Sequence, residues 1–160
     1  MCTTSLCASW PTSVQIEVKG RVLGIDYGRK RVGIAIADPL QMFAQPYGTF
    51  APSDAVRKLE EIQASEGIRT LVIGWPLTPD GEEGEAVAEV MEFVARLKRR
   101  LRGVEIVTWD ERYTSEMAKE MILGVTTRRK QRRDRGRVDR AAAALILQEY
   151  LDSRSTSVAE

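Results

Sequence analysis

Three acidic positions in this chain carry a carboxylate where one is costly, and together they could hold a divalent cation. Asp26 lies inside an apolar, strand-like run, Val22-Leu23-Gly24-Ile25-Asp26-Tyr27-Gly28. The Asp110-Glu111 pair closes a second such run that begins at Val104. Asp139 is spaced by threes and fours from Ala142, Ala143, Ile146 and Tyr150, which puts it on the sheet-facing side of a helix. Burying an unpartnered polar group costs on the order of 2–7 kcal/mol, and a charge costs more, so acids so placed point to a cation. The chain has no histidine, and its two cysteines, Cys2 and Cys7, sit in the N-terminal stretch. A metal site must then be built from oxygen, which selects Mg²⁺ or Mn²⁺ and excludes zinc. Such carboxylate-held ions activate water and stabilise the leaving oxygen of a phosphodiester displacement.

The missing histidine removes the Ser-His-Asp triad, histidine-based nucleases and phosphohistidine chemistry. Neither the P-loop nor the dinucleotide glycine fingerprint is present, so no nucleotide cofactor is expected. Each acid alone has a plainer use. Asp26 could be a turn carboxylate, Asp139 a helix cap, and Asp110-Glu111 a partner of Arg112. Alternation along a strand sends Asp110 and Glu111 to opposite faces, so one of the two reaches the shared site, and Glu111 is favoured.

Net charge is +1, but its distribution is uneven. Between Gly124 and Arg140 lie eight basic residues, Arg128, Arg129, Lys130, Arg132, Arg133, Arg135, Arg137 and Arg140, against two acids. That segment carries +6 and the remainder −5. A cationic arm on an acidic body suits a phosphate backbone, and its residues from Arg128 to Arg137 form, with Arg29, Lys30 and Arg112, the expected nucleic-acid-binding set. A solvated loop is the plainer reading of the same run.

Around these residues the pattern predicts alternating strands and helices. Val22–Gly28 and Arg31–Asp38 read as an antiparallel hairpin, with a short third strand over 47–50. A helix capped by Ser53 follows, stopping near Gly67. Thr70–Gly74 reads as a buried parallel strand. The next helix carries the stripe Val87, Val90, Met91, Val94, Leu97 and Leu101 and ends before Gly103, where a strand over 104–108 begins. Thr114 caps a short helix to Leu123, and a final helix runs from Val138 to Leu151. Ligands of such open α/β sheets bind beyond the carboxyl ends of the strands. One domain over 21–152 is expected, flanked by a loose N-terminal tail, 1–20, and a C-terminal tail, 153–160. No run approaches the roughly 20 apolar residues of a membrane span, and no secretory signal is legible, so a cytoplasmic protein is expected.

Four ordered motifs resemble the YqgF/RuvX family. They are Gly24-Ile25-Asp26-Tyr27-Gly28-Arg29-Lys30-Arg31-Val32-Gly33; Gly74-Trp75-Pro76-Leu77 with Asp80-Gly81; Asp110-Glu111-Arg112-Tyr113-Thr114; and Val138-Asp139-Arg140-Ala141-Ala142. The resemblance spans about Arg21 to Asp152 and implies an RNase H-like α/β fold, a five-stranded mixed sheet with helices on both faces. It implies a nuclease maturing the 5′ end of pre-16S ribosomal RNA, with catalytic residues Asp26, Glu111 and Asp139 and metal ligands Asp26, Asp110, Glu111 and Asp139. Resolution of branched DNA, the Holliday junction, is the alternative. A non-catalytic ribosome-assembly factor is the third. Junction resolvases of this superfold carry further acids where this chain has Gly74 and Ala142. Whether the chain is a monomer or a homodimer stays open.

Overall fold

The computed structural model describes residues 20–76, 84–110 and 135–158. Five strands form one mixed sheet in the order β3-β2-β1-β4-β5. They are β1 (Arg21–Tyr27), β2 (Val32–Ala37), β3 (Ala44–Phe50), β4 (Ile68–Trp75) and β5 (Glu105–Asp110). Among the described residues three helices accompany them: α1 (Pro52–Ser65), α2 (Glu85–Arg100) and α3 (Arg135–Val158). β1 pairs antiparallel with β2 and parallel with β4, and β4 pairs parallel with β5. The strand bearing Asp26 is therefore the central one.

Strand alternation divides the core between the two faces of the sheet. Leu23 and Ile25 of β1, Val32 and Ile34 of β2, and Leu71 and Ile73 of β4 pack with Leu59 of α1 and Val90, Phe93 and Leu97 of α2. Val22, Ala35, Ala37 and Val72 face the other way and pack on Ala143, Ile146, Leu147 and Tyr150 of α3. Each fully buried branched side chain contributes roughly 1.5–3 kcal/mol, so this double burial is what holds the layers together. Among the described residues no helix is long and apolar enough to cross a membrane.

Four details differ from the sequence expectation. The third strand begins at Ala44, earlier than 47, because β2 pairs with it from Ala37 back to Val32. The cap of α1 is Ala51 in extended conformation, without a side-chain bond, and not Ser53. Pro52 explains this, since its fixed φ suits the first helical position and forces the preceding residue out of helical conformation. Met91 is 56% exposed, while Phe93 is buried in its place. Phe93 wins the interior through its ring contact with Tyr27, centroids 4.7 Å apart. Finally, α3 starts at Arg135 and runs beyond Leu151 to Val158. Nothing breaks it there, and Ser153 and Ser155 donate their hydroxyls to the carbonyls of Tyr150 and Leu151. The expected helix over 114–123 lies outside the described residues.

Candidate active site

Asp26 leaves β1 on the same face as Val22 and Gly24, toward α3. Its cross-strand partner is Gly33, and directly paired residues point to the same side about 5 Å apart. The next row position on β4 is Gly74, one step past the Ile25–Ile73 pair, and Gly74 in turn pairs with Trp109 of β5. On this face the carboxyl edge of the sheet therefore runs Thr49, Gly33, Asp26, Gly74, Trp109. Asp26 stands between two glycines in this row, so neither neighbouring strand position sets a side chain beside it.

The first turns of α3 lie directly over this row. A Cβ at Gly33 would stand 2.1 Å from the Asp139 carbonyl oxygen and 2.3 Å from its carbonyl carbon. Only a glycine lets the helix backbone approach so closely. Thr49, the β3 partner of Gly33, donates its hydroxyl to the carbonyl of Gly136. Arg31, immediately before β2, donates its Nε to Asp139 Oδ2 at 2.8 Å. Three contacts thus fix the helix start, and Asp139 comes to rest over the strand position beside Asp26. Lower down, Gly24 admits Ala143 in the same way. The small residues expected on α3 have matching glycines on the sheet, which is the part of the packing that sequence reading missed. Arg31 was missed too, hidden among Arg29 and Lys30 in one basic triplet.

The other expected residues are dispersed. Asp110 pairs with Trp75, whose side chain packs on the α1–α2 core, so Asp110 belongs to the face opposite Asp26. Trp109, of opposite parity, packs edge-on against Tyr150, 5.8 Å between centroids, and its indole N–H donates to Glu149 at 3.2 Å. Arg29 turns away to Glu89 on α2 at 2.5 Å, and Lys30 is exposed. Arg137 is half-buried near the start of α3, and Arg135 is its first residue. Glu111, Arg112, Arg128, Arg129, Lys130, Arg132 and Arg133 lie outside the described residues.

A cleft of about 330 Å³ lies on the far face, lined in part by Tyr27, Arg29, Glu89, Glu92, Phe93 and Arg96. Burial, with the Glu89 charge after it, raises the Tyr27 phenol above its usual range. Tyr27 alternates with Asp26, so this cleft is not the acid site. In donor chemistry the acid site fits a hard divalent cation: its groups are carboxylates, and a positive group, Arg31, already stands against Asp139. Among the described residues no three acids gather closely enough to hold a metal, so Asp26 and Asp139 supply two ligands at most.

A family model described as RuvX, Holliday junction resolvase, matches residues 20–153. A protein of Salinibacter ruber is 48% identical over 137 residues, covering 86% of this chain and 96% of its own length. One from Chlorobaculum tepidum is 45% identical over 135 residues, covering 84% and 95%. Both are provisionally named pre-16S rRNA nucleases. Among solved structures, Thermus thermophilus RuvC matches with a TM-score of 0.54 at 13% identity, over 85% of this chain and 96% of that one. A fowlpox virus resolvase bound to Holliday junction DNA matches at 0.53 and 10% identity, over 84% and 98%. At such identity the likeness is one of architecture: the sheet and its flanking helices are RNase H-like.

Proposed function

The chain belongs to the RuvX family, a family of nucleases, and from that premise we propose that it is a divalent-metal-dependent endonuclease of structured RNA, with precursor 16S ribosomal RNA as its substrate. The observation that carries this reading is the close approach of the Asp139 backbone to Gly33, the cross-strand partner of Asp26, although Asp26 and Asp139 are 113 positions apart in sequence. Glu111 is the third ligand in this proposal. Asp110 is set aside because it pairs with Trp75 on the face opposite Asp26. The domain that does this is the single unit over 21–152, and the basic run 128–137 is its substrate arm.

A bound Mg²⁺ or Mn²⁺ would supply a water of lowered pKa and neutralise the phosphodiester charge. The chain's own residues do the remaining work. Asp26 and Asp139 provide oxygen donors on one face, and Gly33, lacking a side chain, lets the Asp139 backbone settle on the strand next to Asp26. Arginines and lysines of the substrate arm compensate the repulsion between a polyanion and the acid pair. A cytoplasmic location fits this role.

Asp26→Asn tests the proposal. Cleavage of precursor 16S RNA should fall at least about 10²-fold, with RNA binding and melting temperature close to wild type. Retained cleavage in that variant would dismiss the reading. Branched-DNA resolution is the second reading, favoured by the description of the family model. Against it, Gly74, next to last in β4, lies beside Asp26 and Ala142 stands one turn after Asp139 in α3, the two places where junction resolvases of this superfold bring further acids. Side-by-side cleavage of precursor RNA and four-way junctions decides between them. Binding that is steep in salt yet indifferent to divalent ions would instead mark a non-catalytic assembly factor.

A further inference from the structure

Arg29, Lys30 and Arg31 form one basic triplet in the sequence, but the fold gives them different tasks. Arg29 is drawn to Glu89, and Lys30 is exposed. Arg31 shares the parity of Gly33 and pairs with Asp139 across 108 residues of sequence. Its Nε makes that contact, with the Arg31 side chain 41% and the Asp139 side chain 25% exposed. The partner of this arginine is therefore one of the two carboxylates proposed above to hold the metal, and it occupies Oδ2, one of the two oxygens Asp139 has to offer an ion. A carboxylate oxygen held by a guanidinium is less available to another cation.

We propose that Arg31 is the resident cation of the acid pair and competes with the divalent ion for Asp139, so that Arg31 sets the metal affinity of the site. The proposal rests on reading Asp26 and Asp139 as a metal site. Without a positive group, two carboxylates on one face would repel each other, and Arg31 offsets that repulsion while no ion is bound. Once an ion arrives, the same guanidinium is a like charge beside it. A unit charge facing a double charge at about 6 Å in a water-like dielectric weakens binding about tenfold. Arg31 is thus a positioning residue that acts through Asp139.

Mn²⁺ titrations of the full chain, by calorimetry or by loss of the free-ion paramagnetic resonance signal, test this with thermal melts run alongside. Arg31→Gln should bind Mn²⁺ about tenfold more tightly than wild type even though it melts at lower temperature. Arg31→Lys keeps a charge but loses the Nε contact, and should bind about twofold more tightly. It decides the matter should Arg31→Gln fail to fold. An arginine with a purely structural role would lower the melting temperature and leave Mn²⁺ affinity unchanged or reduced. Affinity at or below wild type in the folded variants therefore overturns the role of Arg31 alone. A wild-type chain that binds no Mn²⁺, or an Asp139→Asn chain that binds it undiminished, overturns the acid-pair reading and this inference with it.

Discussion

Gly33→Ala is the sharpest perturbation of the site, because it adds one methyl group and removes no functional atom. That methyl would meet the Asp139 carbonyl oxygen at 2.1 Å, its carbon at 2.3 Å and the Arg140 nitrogen at 2.8 Å. All three are backbone atoms, so no side chain can rotate out of the way. Interiors are close-packed, and the start of α3 must lift by about 1 Å to relieve the contact. Overpacking of this kind costs about 1–3 kcal/mol of stability. The displacement falls on Asp139, and a misplacement of about 1 Å in a reacting geometry can cost about 10²-fold in rate. Cleavage of precursor RNA should therefore drop about 10²-fold in a chain that still melts cooperatively, with weakened Mn²⁺ binding. Gly24→Ala is the control. Its methyl would meet the Ala143 carbonyl oxygen at 2.6 Å and Leu147 Cβ at 2.7 Å, a full turn further along α3. It should cost similar stability with a smaller loss of activity. Equal cleavage by Gly33→Ala and wild type would refute the claim that the glycine seats Asp139 against Asp26.

Two further predictions concern pH. Burial, then the Glu89 charge, raises the Tyr27 phenol, so the neutral form is favoured more in the folded than in the unfolded chain. Its contribution is whole below about pH 10 and is lost as pH rises through the higher folded value. The wild-type minus Tyr27→Phe difference in melting temperature should hold steady up to about pH 10 and shift against wild type above it; a difference flat through the whole alkaline range would disprove this. Asp38 behaves oppositely. Its carboxylate accepts the backbone N–H groups of Phe43, Met42 and Leu40, and the Phe43 bond chiefly holds its pKa below the usual range. The loop it organises is favoured above the ordinary aspartate pKa and lost as pH falls through the lower folded value. Asp38→Ala should abolish amide-exchange protection at positions 40, 42 and 43 without touching cleavage, because this loop follows the end of β2 remote from Asp26; unchanged exchange would count against it.

Much of this architecture is legible from local chemistry. Two short apolar runs, Val22–Tyr27 and Val32–Ala37, separated by a glycine-led turn, can hardly do other than pair antiparallel. The continuous apolar run before Gly74 had to be a buried parallel strand, and β4 is one. Less legible were competitions that depend on contact. Ser53 is a good capping residue, but the rigid ring of Pro52 moves the cap to Ala51. Met91 and Phe93 both fit a helical stripe, and only the presence of Tyr27 on the adjoining strand favours the aromatic ring.

The site divides along the same line. Residue types alone narrowed the candidate chemistry: without histidine, any metal site built from these carboxylates offers oxygen donors, which suit a hard ion. Periodicity alone determined the side from which Asp139 projects. Which strand position the start of α3 settles on was decided by the tertiary structure, because registry between strands and the approach of a helix are relations between distant segments. Gly33 has no side chain whose properties a sequence could display, yet its lack of one lets the Asp139 backbone settle there. Arg31 is chemically the same as Arg29, and only the directions in which the strand edge aims them send one to Asp139 and the other to Glu89.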